Sequence, residues 1–113
     1  MTTGRIAITY FPFTNLDQKK KRPALILKEV FYSTHLNLKT IAMITSQIES
    51  PSIEGDMLIR DWKQSGLLHP SRLRLAKLAT IEGVLIETEL GRLSDRDMKQ
   101  VKKMFREYFS DWT

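Results

Sequence analysis

Lys19-Lys20-Lys21-Arg22-Pro23-Ala24-Leu25-Ile26-Leu27 joins a run of four cations to an apolar run of strand length. Arg22 precedes a proline, which pushes its backbone toward extended geometry and away from helix. Pro23 has no N–H to donate, so it suits the first residue of a strand. Residues 24–27 then read as a buried strand. The arginine therefore sits where a charged loop becomes fixed scaffold, with three solvated lysines ahead of it. Two readings of that placement stand open: a solvated charge run beside a core strand, or an arginine mounted to handle an anion.

Working outward, Ile6, Ile8 and Tyr10 alternate with Arg5, Ala7 and Thr9. That pattern predicts a first strand ending at Phe11-Pro12-Phe13. Residues 14–21 form a polar loop with Asn15 and Asp17 as turn formers. The first strand and residues 23–28 are expected to pair antiparallel across it. Residues 29–38 give no clear signal. Residues 39–45 are mostly apolar and predict a central third strand, followed by a loop over 46–54 and a short fourth strand over 55–59.

Residues 60–66 predict one or two helical turns, stopped by Gly66 just past the cap. Farther on, Leu73 and Leu75 alternate with Arg72 and Arg74, but Leu78 breaks the parity. A one-residue slip turns side chains to the other face, so a bulge is expected near Ala76. Glu82-Gly83 reads as a turn and residues 84–90 as a last strand. Ser94 then fits a helix N-cap, with Asp97 completing a capping-box variant and Leu93 and Met98 forming a hydrophobic staple. Met98, Val101, Met104, Phe105 and Tyr108 recur on one apolar face, opposite Lys99, Lys102, Lys103 and Arg106. These elements predict a mainly β fold: a small, strongly bent antiparallel sheet, most economically an SH3-like barrel, with a short middle helix and a C-terminal α-helix covering its open side.

A chain of 113 residues holds one core, so residues 1–113 are expected to form a single domain. Hydrophobic residues at 42% and charged residues at 27% place it among globular chains rather than disordered ones. The net charge of +5 favours an anionic partner: nucleic acid, an acidic protein or a membrane surface. No cysteine is present, which removes disulfides and thiolate metal sites and suits a reducing compartment. The apolar run over 6–13 is short and broken by Pro12, unlike a signal peptide. Nothing approaches the roughly 20 apolar residues that span a bilayer. The expectation is a soluble cytoplasmic protein with no membrane partner.

The polar residues restrict the chemistry further. His35 and His69 are far apart, each reads as a surface side chain, and the acidic residues show no ligand spacing. No metal or cofactor is therefore expected. The five glycines are scattered, so there is no phosphate-cradling loop. No serine sits in a nucleophile elbow. What remains is metal-free action on a phosphodiester. RNA carries its own nucleophile, the 2′-hydroxyl, so an enzyme need only align it and stabilise the charge that develops. The fork of Arg22 matches two phosphate oxygens. Thr45 and Ser46, at the end of the third strand, would bring a hydroxyl near it if strands two and three are neighbours. The competing reading of Thr45 is a strand-end hydroxyl satisfying local backbone.

The blocks Gly4…Tyr10-Phe11-Pro12-Phe13-Thr14, Lys21-Arg22-Pro23-Ala24-Leu25-Ile26-Leu27, Ile41-Ala42-Met43-Ile44-Thr45-Ser46, Gly66-Leu67 with Ser71, Leu78-Ala79-Thr80-Ile81 and Gly91-Arg92-Leu93 follow one another along nearly the whole chain. In that order they resemble the MazF/PemK family of toxins from bacterial toxin–antitoxin modules. The resemblance implies an SH3-like barrel, a homodimer, and a sequence-specific, metal-independent endoribonuclease acting on single-stranded RNA, often messenger RNA. It implies Arg22 and Thr45 as the catalytic pair. Phe13, Lys19, Lys20, Lys21 and Ser46 would contact RNA, and an antitoxin would block the groove. The same barrel serves a second toxin type, the gyrase-poisoning CcdB, which binds protein and cuts nothing. That type depends on its C-terminal residues, and Trp112 near the chain end keeps it in view beside a third reading, a barrel that only binds RNA.

Overall fold

Short apolar runs build one antiparallel sheet of six strands. A computed structural model of the chain describes residues 3–10 and 21–112. The strands are β1 (Arg5–Tyr10), β2 (Lys21–Phe31), β3 (Asn37–Thr45), β4 (Asp56–Leu58), β5 (Arg72–Glu82) and β6 (Thr88–Arg92), in the spatial order β4-β5-β3-β2-β1-β6. One α-helix, α1 (Asp95–Tyr108), follows.

The sheet is buried on both faces, which explains why its central strands look apolar throughout rather than alternating with polar residues. Ile6, Leu25, Ala42, Ile44, Leu73 and Leu75 face one way and meet Leu93 and Val101. Ala7, Ala24, Ile26, Ile41, Met43 and Ile81 form a second core. Each large aliphatic side chain buried this way contributes about 1.5–3 kcal/mol of transfer free energy.

The bulge expected near Ala76 is present. Ala42 pairs with Leu78 while its neighbour Met43 pairs with Arg74, so residues 75–77 are looped out of the ladder. A second irregularity at Leu27 bends β2 against β3. Residues 29–38, silent in the sequence, complete a long β2–β3 hairpin.

The expected strand over 84–90 is only partly there. Residues 83–85 form a 3-10 turn, and β6 starts later, at Thr88. The topology requires this. β5 lies beyond β3, whereas β6 pairs with β1, so the chain must cross the sheet before it can pair again. Ile86 packs into the second core during that crossing. Thr9 Oγ1 donates to Leu85 O at 3.1 Å, and Glu87 N donates to Ile8 O at 2.9 Å.

The sheet is not closed edge to edge: among the described residues β4 and β6 do not pair. The segment after β4 spans the gap instead. Residues 60–66 make a single helical turn rather than a helix proper. Leu67 N donates to Trp62 O and Gly66 N to Lys63 O, both at 3.0 Å, closing a Schellman motif with Gly66 at φ +91°. Gly66 lies so close to β6 that a Cβ there would collide with the Leu90 carbonyl.

The same turn is fastened to α1. Ser94 caps the helix, its hydroxyl accepting from Asp97 N. Asp97, fully buried, uses its carboxylate across the chain, accepting from Arg60 N at 3.1 Å and Asp61 N at 2.9 Å. The capping-box residue thus holds the middle turn onto the last helix. Asp61 receives a two-pronged Arg96 fork at 2.6 and 2.7 Å and the Ser94 hydroxyl at 2.6 Å. The Arg96 bonds and the Ser94 hydroxyl bring the Asp61 carboxyl down to about 2.

Candidate functional site

β2 begins and β3 ends at the same edge of the sheet. Ala24 pairs with Met43 and Leu25 with Ala42; continued by two residues, that register puts Arg22 across from Thr45. Residues opposite in a ladder share a face, so the two side chains belong to one row. Thr9 of β1, which pairs with Arg22 on its other side, completes the row. Strands two and three are neighbours, which is the condition the sequence set for Arg22 and Thr45 to meet.

Arg22, Thr45, Ser46 and Lys21 all line one groove of about 410 Å³, with apolar walls from Ile8, Ile44 and Leu67. Gln47, His69 and Ser71 line it too. Arg22 is half-buried, and its Nε is buried with no hydrogen-bond partner among the described residues. A buried charged donor left unmade is costly, on the order of 1–3 kcal/mol or more, so its retention asks for an acceptor that arrives from outside.

Thr45 is buried, and its Oγ1 accepts from Gln47 N at 3.2 Å. The backbone-satisfying role that the sequence allowed for this hydroxyl is therefore real. It also fixes the oxygen and leaves the O–H as a donor for a second partner. Ser46 is exposed beside it. The loop that follows is held by Arg72, whose buried guanidinium donates to Ile48 O at 2.8 Å and Ser50 O at 3.1 Å. Arg72 pairs with Thr45 in the β3–β5 ladder, so one wall of the groove is braced from directly behind the threonine.

Lys21 is differently placed from what its cationic run suggested. Its ammonium is bound to the Glu87 carboxylate at 2.7–2.8 Å and lies 5.7 Å from the Tyr10 ring centroid. The hydrogen bond to Glu87 raises its pKa above the usual lysine value. Phe13, Lys19 and Lys20 lie outside the described residues.

His69, read from the sequence as a surface side chain, is exposed but opens into this groove. Its segment is anchored on both sides: Leu67 is buried, and the buried Ser71 donates its hydroxyl to His69 O at 2.8 Å. The sequence carried one usable signal, the nearby Gly66-Leu67 and Ser71 block, which marks a fixed segment around an exposed imidazole.

A larger groove of about 590 Å³ runs beside α1, between Leu25, Leu27 and Leu78 and the helix residues Met98, Val101 and Phe105. Its lining is mostly apolar, Thr3, Thr40 and the exposed Lys28, Lys102 and Arg106 apart, and among the described residues it holds no buried, unpartnered guanidinium nitrogen, so it is not the candidate site. Among the described residues no cluster of three His, Cys, Asp or Glu side chains could hold a metal ion. Among them too, no helix is long and apolar enough to cross a membrane.

A search among curated proteins returned no match. A family model described as PemK-like, MazF-like toxin of type II toxin-antitoxin system matches residues 3–109 of the 113. That span includes all six strands, α1 and every residue of the groove, and so the chain belongs to the PemK-like, MazF-like toxins of type II toxin–antitoxin systems.

Proposed function

We propose that this toxin is a sequence-specific, metal-independent endoribonuclease that cleaves single-stranded RNA, messenger RNA included, in the cytoplasm. The observation that carries the reading is the buried, unpartnered Nε of Arg22 in the groove that Thr45 also lines. A guanidinium whose Nε has no acceptor among the described residues suits an external one with two oxygens, and a phosphodiester supplies it.

Arg22 binds the nonbridging oxygens and stabilises the extra charge of the phosphorane. Thr45, its oxygen already held by Gln47 N, donates its O–H to a phosphate oxygen or orients the 2′-hydroxyl. Ser46 adds a second hydroxyl at the rim. The 2′-oxygen attacks phosphorus and the 5′-oxygen departs, giving a 2′,3′-cyclic phosphate and a 5′-hydroxyl. Lys19 and Lys20 gather RNA electrostatically and Phe13 stacks a base. Lys21, tied to Glu87, contributes as part of a neutral pair unless RNA displaces the carboxylate. By analogy with the family, the working form is a homodimer and a cognate antitoxin silences it.

The test is cleavage of a long RNA in EDTA by the parent and by Arg22→Ala. Loss of one preorganised oxyanion donor lowers the rate by about a hundred- to a thousandfold with folding intact. An Arg22→Ala protein that cuts at the parental rate rules out the assignment. Gyrase inhibition without RNA products would favour the CcdB-like reading, for which the observation is that Trp112 stands 88% exposed. Salt-dependent binding without products would leave a barrel that only binds RNA.

A further inference from the structure

Transesterification of RNA needs more than charge stabilisation: the 2′-hydroxyl must lose a proton as it attacks. Arg22 cannot take it, because a guanidinium stays protonated in proteins and has no acceptor. Thr45, Ser46 and Ser71 are not bases at neutral pH, and Gln47 does not titrate. The Lys21 ammonium is engaged by Glu87. Of the described side chains that line the groove, one belongs to the residue type whose ordinary pKa lies in the neutral range, His69.

We propose that His69 is the general base of this groove, accepting the proton of the RNA 2′-hydroxyl during attack on the phosphate held by Arg22. The inference rests on the nuclease reading above. Three observations support it. His69 lines the same groove as Arg22 and Thr45. Its backbone is pinned by the buried Ser71 hydroxyl at 2.8 Å, which fixes where the ring can reach. Its imidazole has no hydrogen-bond partner among the described residues, so a ring nitrogen is open to a ligand.

The step balances as follows. The 2′-O–H proton passes to a ring nitrogen, the O2′–P bond forms and the P–O5′ bond breaks. The departing 5′-oxygen takes up a proton from solvent, and the imidazolium returns its own to solvent. Among the described residues, the charged side chains that line the groove with His69 are Lys21 and Arg22 of β2, and Glu87, from the segment before β6, is paired to the first. Active enzyme carries the neutral imidazole, so cleavage rises with pH.

The experiment is single-turnover cleavage of a heteropolymeric RNA in EDTA from about pH 5 to 8, for the parent, His69→Gln and His69→Ala, the latter with and without added imidazole. The parental rate should show a limb that rises with pH. His69→Gln should lose about a hundred- to ten-thousandfold and flatten that limb, and imidazole should partly restore His69→Ala. His69 is exposed, so both variants should melt with the parent. If the parent cuts and Arg22→Ala does not, while His69→Gln keeps both rate and limb, the base assignment is overturned and the nuclease reading survives. If the folded parent yields no RNA products, the nuclease reading itself is overturned, and this inference with it.

Discussion

Arg72→Met tests whether the groove wall is held by one buried guanidinium. In the parent, Arg72 donates to Ile48 O at 2.8 Å, Ser50 O at 3.1 Å and Pro51 O at 3.4 Å, and approaches Asp56 at 3.4 Å. Methionine fills much of the stem's space and removes every donor. Asp56 is not stranded by this change, because the Arg74 fork still holds it at 2.9 and 3.0 Å. The cost therefore comes from the carbonyls. Each buried acceptor left unmade costs about 1–3 kcal/mol. Ser50 and Pro51 are exposed, so water replaces their donors, and Ile48 dominates. The net expectation is a loss of about 2–3 kcal/mol, or a melting temperature lower by roughly 10 °C for a chain of this size. A functional loss should accompany it. The 46–51 loop includes Gln47, whose N–H fixes Thr45 Oγ1, so RNA cleavage measured well below both melting points should fall by about tenfold, the equivalent of one misaligned hydrogen bond. Arg72→Lys separates the causes: it keeps a charge near Asp56 but cannot reach carbonyls spread over three residues, so it should resemble Arg72→Met. Melting within about 2 °C of the parent, with parental cleavage, would refute the bracing argument.

Two further predictions concern the middle turn. Asp61→Asn should flatten acid unfolding: a carboxyl held at about 2 in the folded chain, against an ordinary 3.8, adds stability that is fully present above the unfolded value and is lost as pH falls through about 2. Parent and variant should therefore converge in stability as pH falls from 4 to 2 in urea titrations, and parallel curves across that window would count against the Arg96–Asp61 fork. Gly66→Ala should cost more than about 2 kcal/mol by urea midpoint, since it adds left-handed strain to a collision with the Leu90 backbone; a neutral result would mean that the turn and β6 are not in contact as described.

The legible parts of the fold were those with local causes. Ser94 capped the helix because its hydroxyl satisfies a nearby amide, and Gly66 ended the middle turn because only glycine sits easily at φ +91°. The bulge near Ala76 was written in the parity of its leucines. The 3-10 turn at 83–85 was not legible, because Val84, Leu85 and Ile86 look like strand and only the sheet order forces a crossing there. Nor was the role of Arg72 and Arg74. Alternation marked them as a polar face, yet Arg72 is buried and both turn to Asp56, a residue on a three-residue edge strand that no local pattern ties to them. His69 escaped for the same reason: its groove partners come from β2 and β3, far away in the chain.

The arginines themselves argue for which residue does the chemistry. Among the described residues, Arg22, Arg72 and Arg74 are the three arginines that are buried or half-buried. Two of them are saturated, Arg74 by both oxygens of Asp56 and Arg72 by Asp56 and the carbonyls of the 48–51 loop. Arg22 keeps a buried Nε with no acceptor among the described residues. A fold that meets the needs of two inner guanidiniums and leaves the third unmet is not short of acceptors in general; it withholds one at a single place, the mouth of a groove with a fixed hydroxyl opposite. If Arg22 serves an anion, replacing it by an apolar residue of similar length should leave the melting temperature unchanged or raise it, because an unpaired buried donor is removed, while replacing Arg72 the same way lowers it. Both arginines stand in the same sheet, so the opposite signs would track whether each guanidinium is satisfied within the fold.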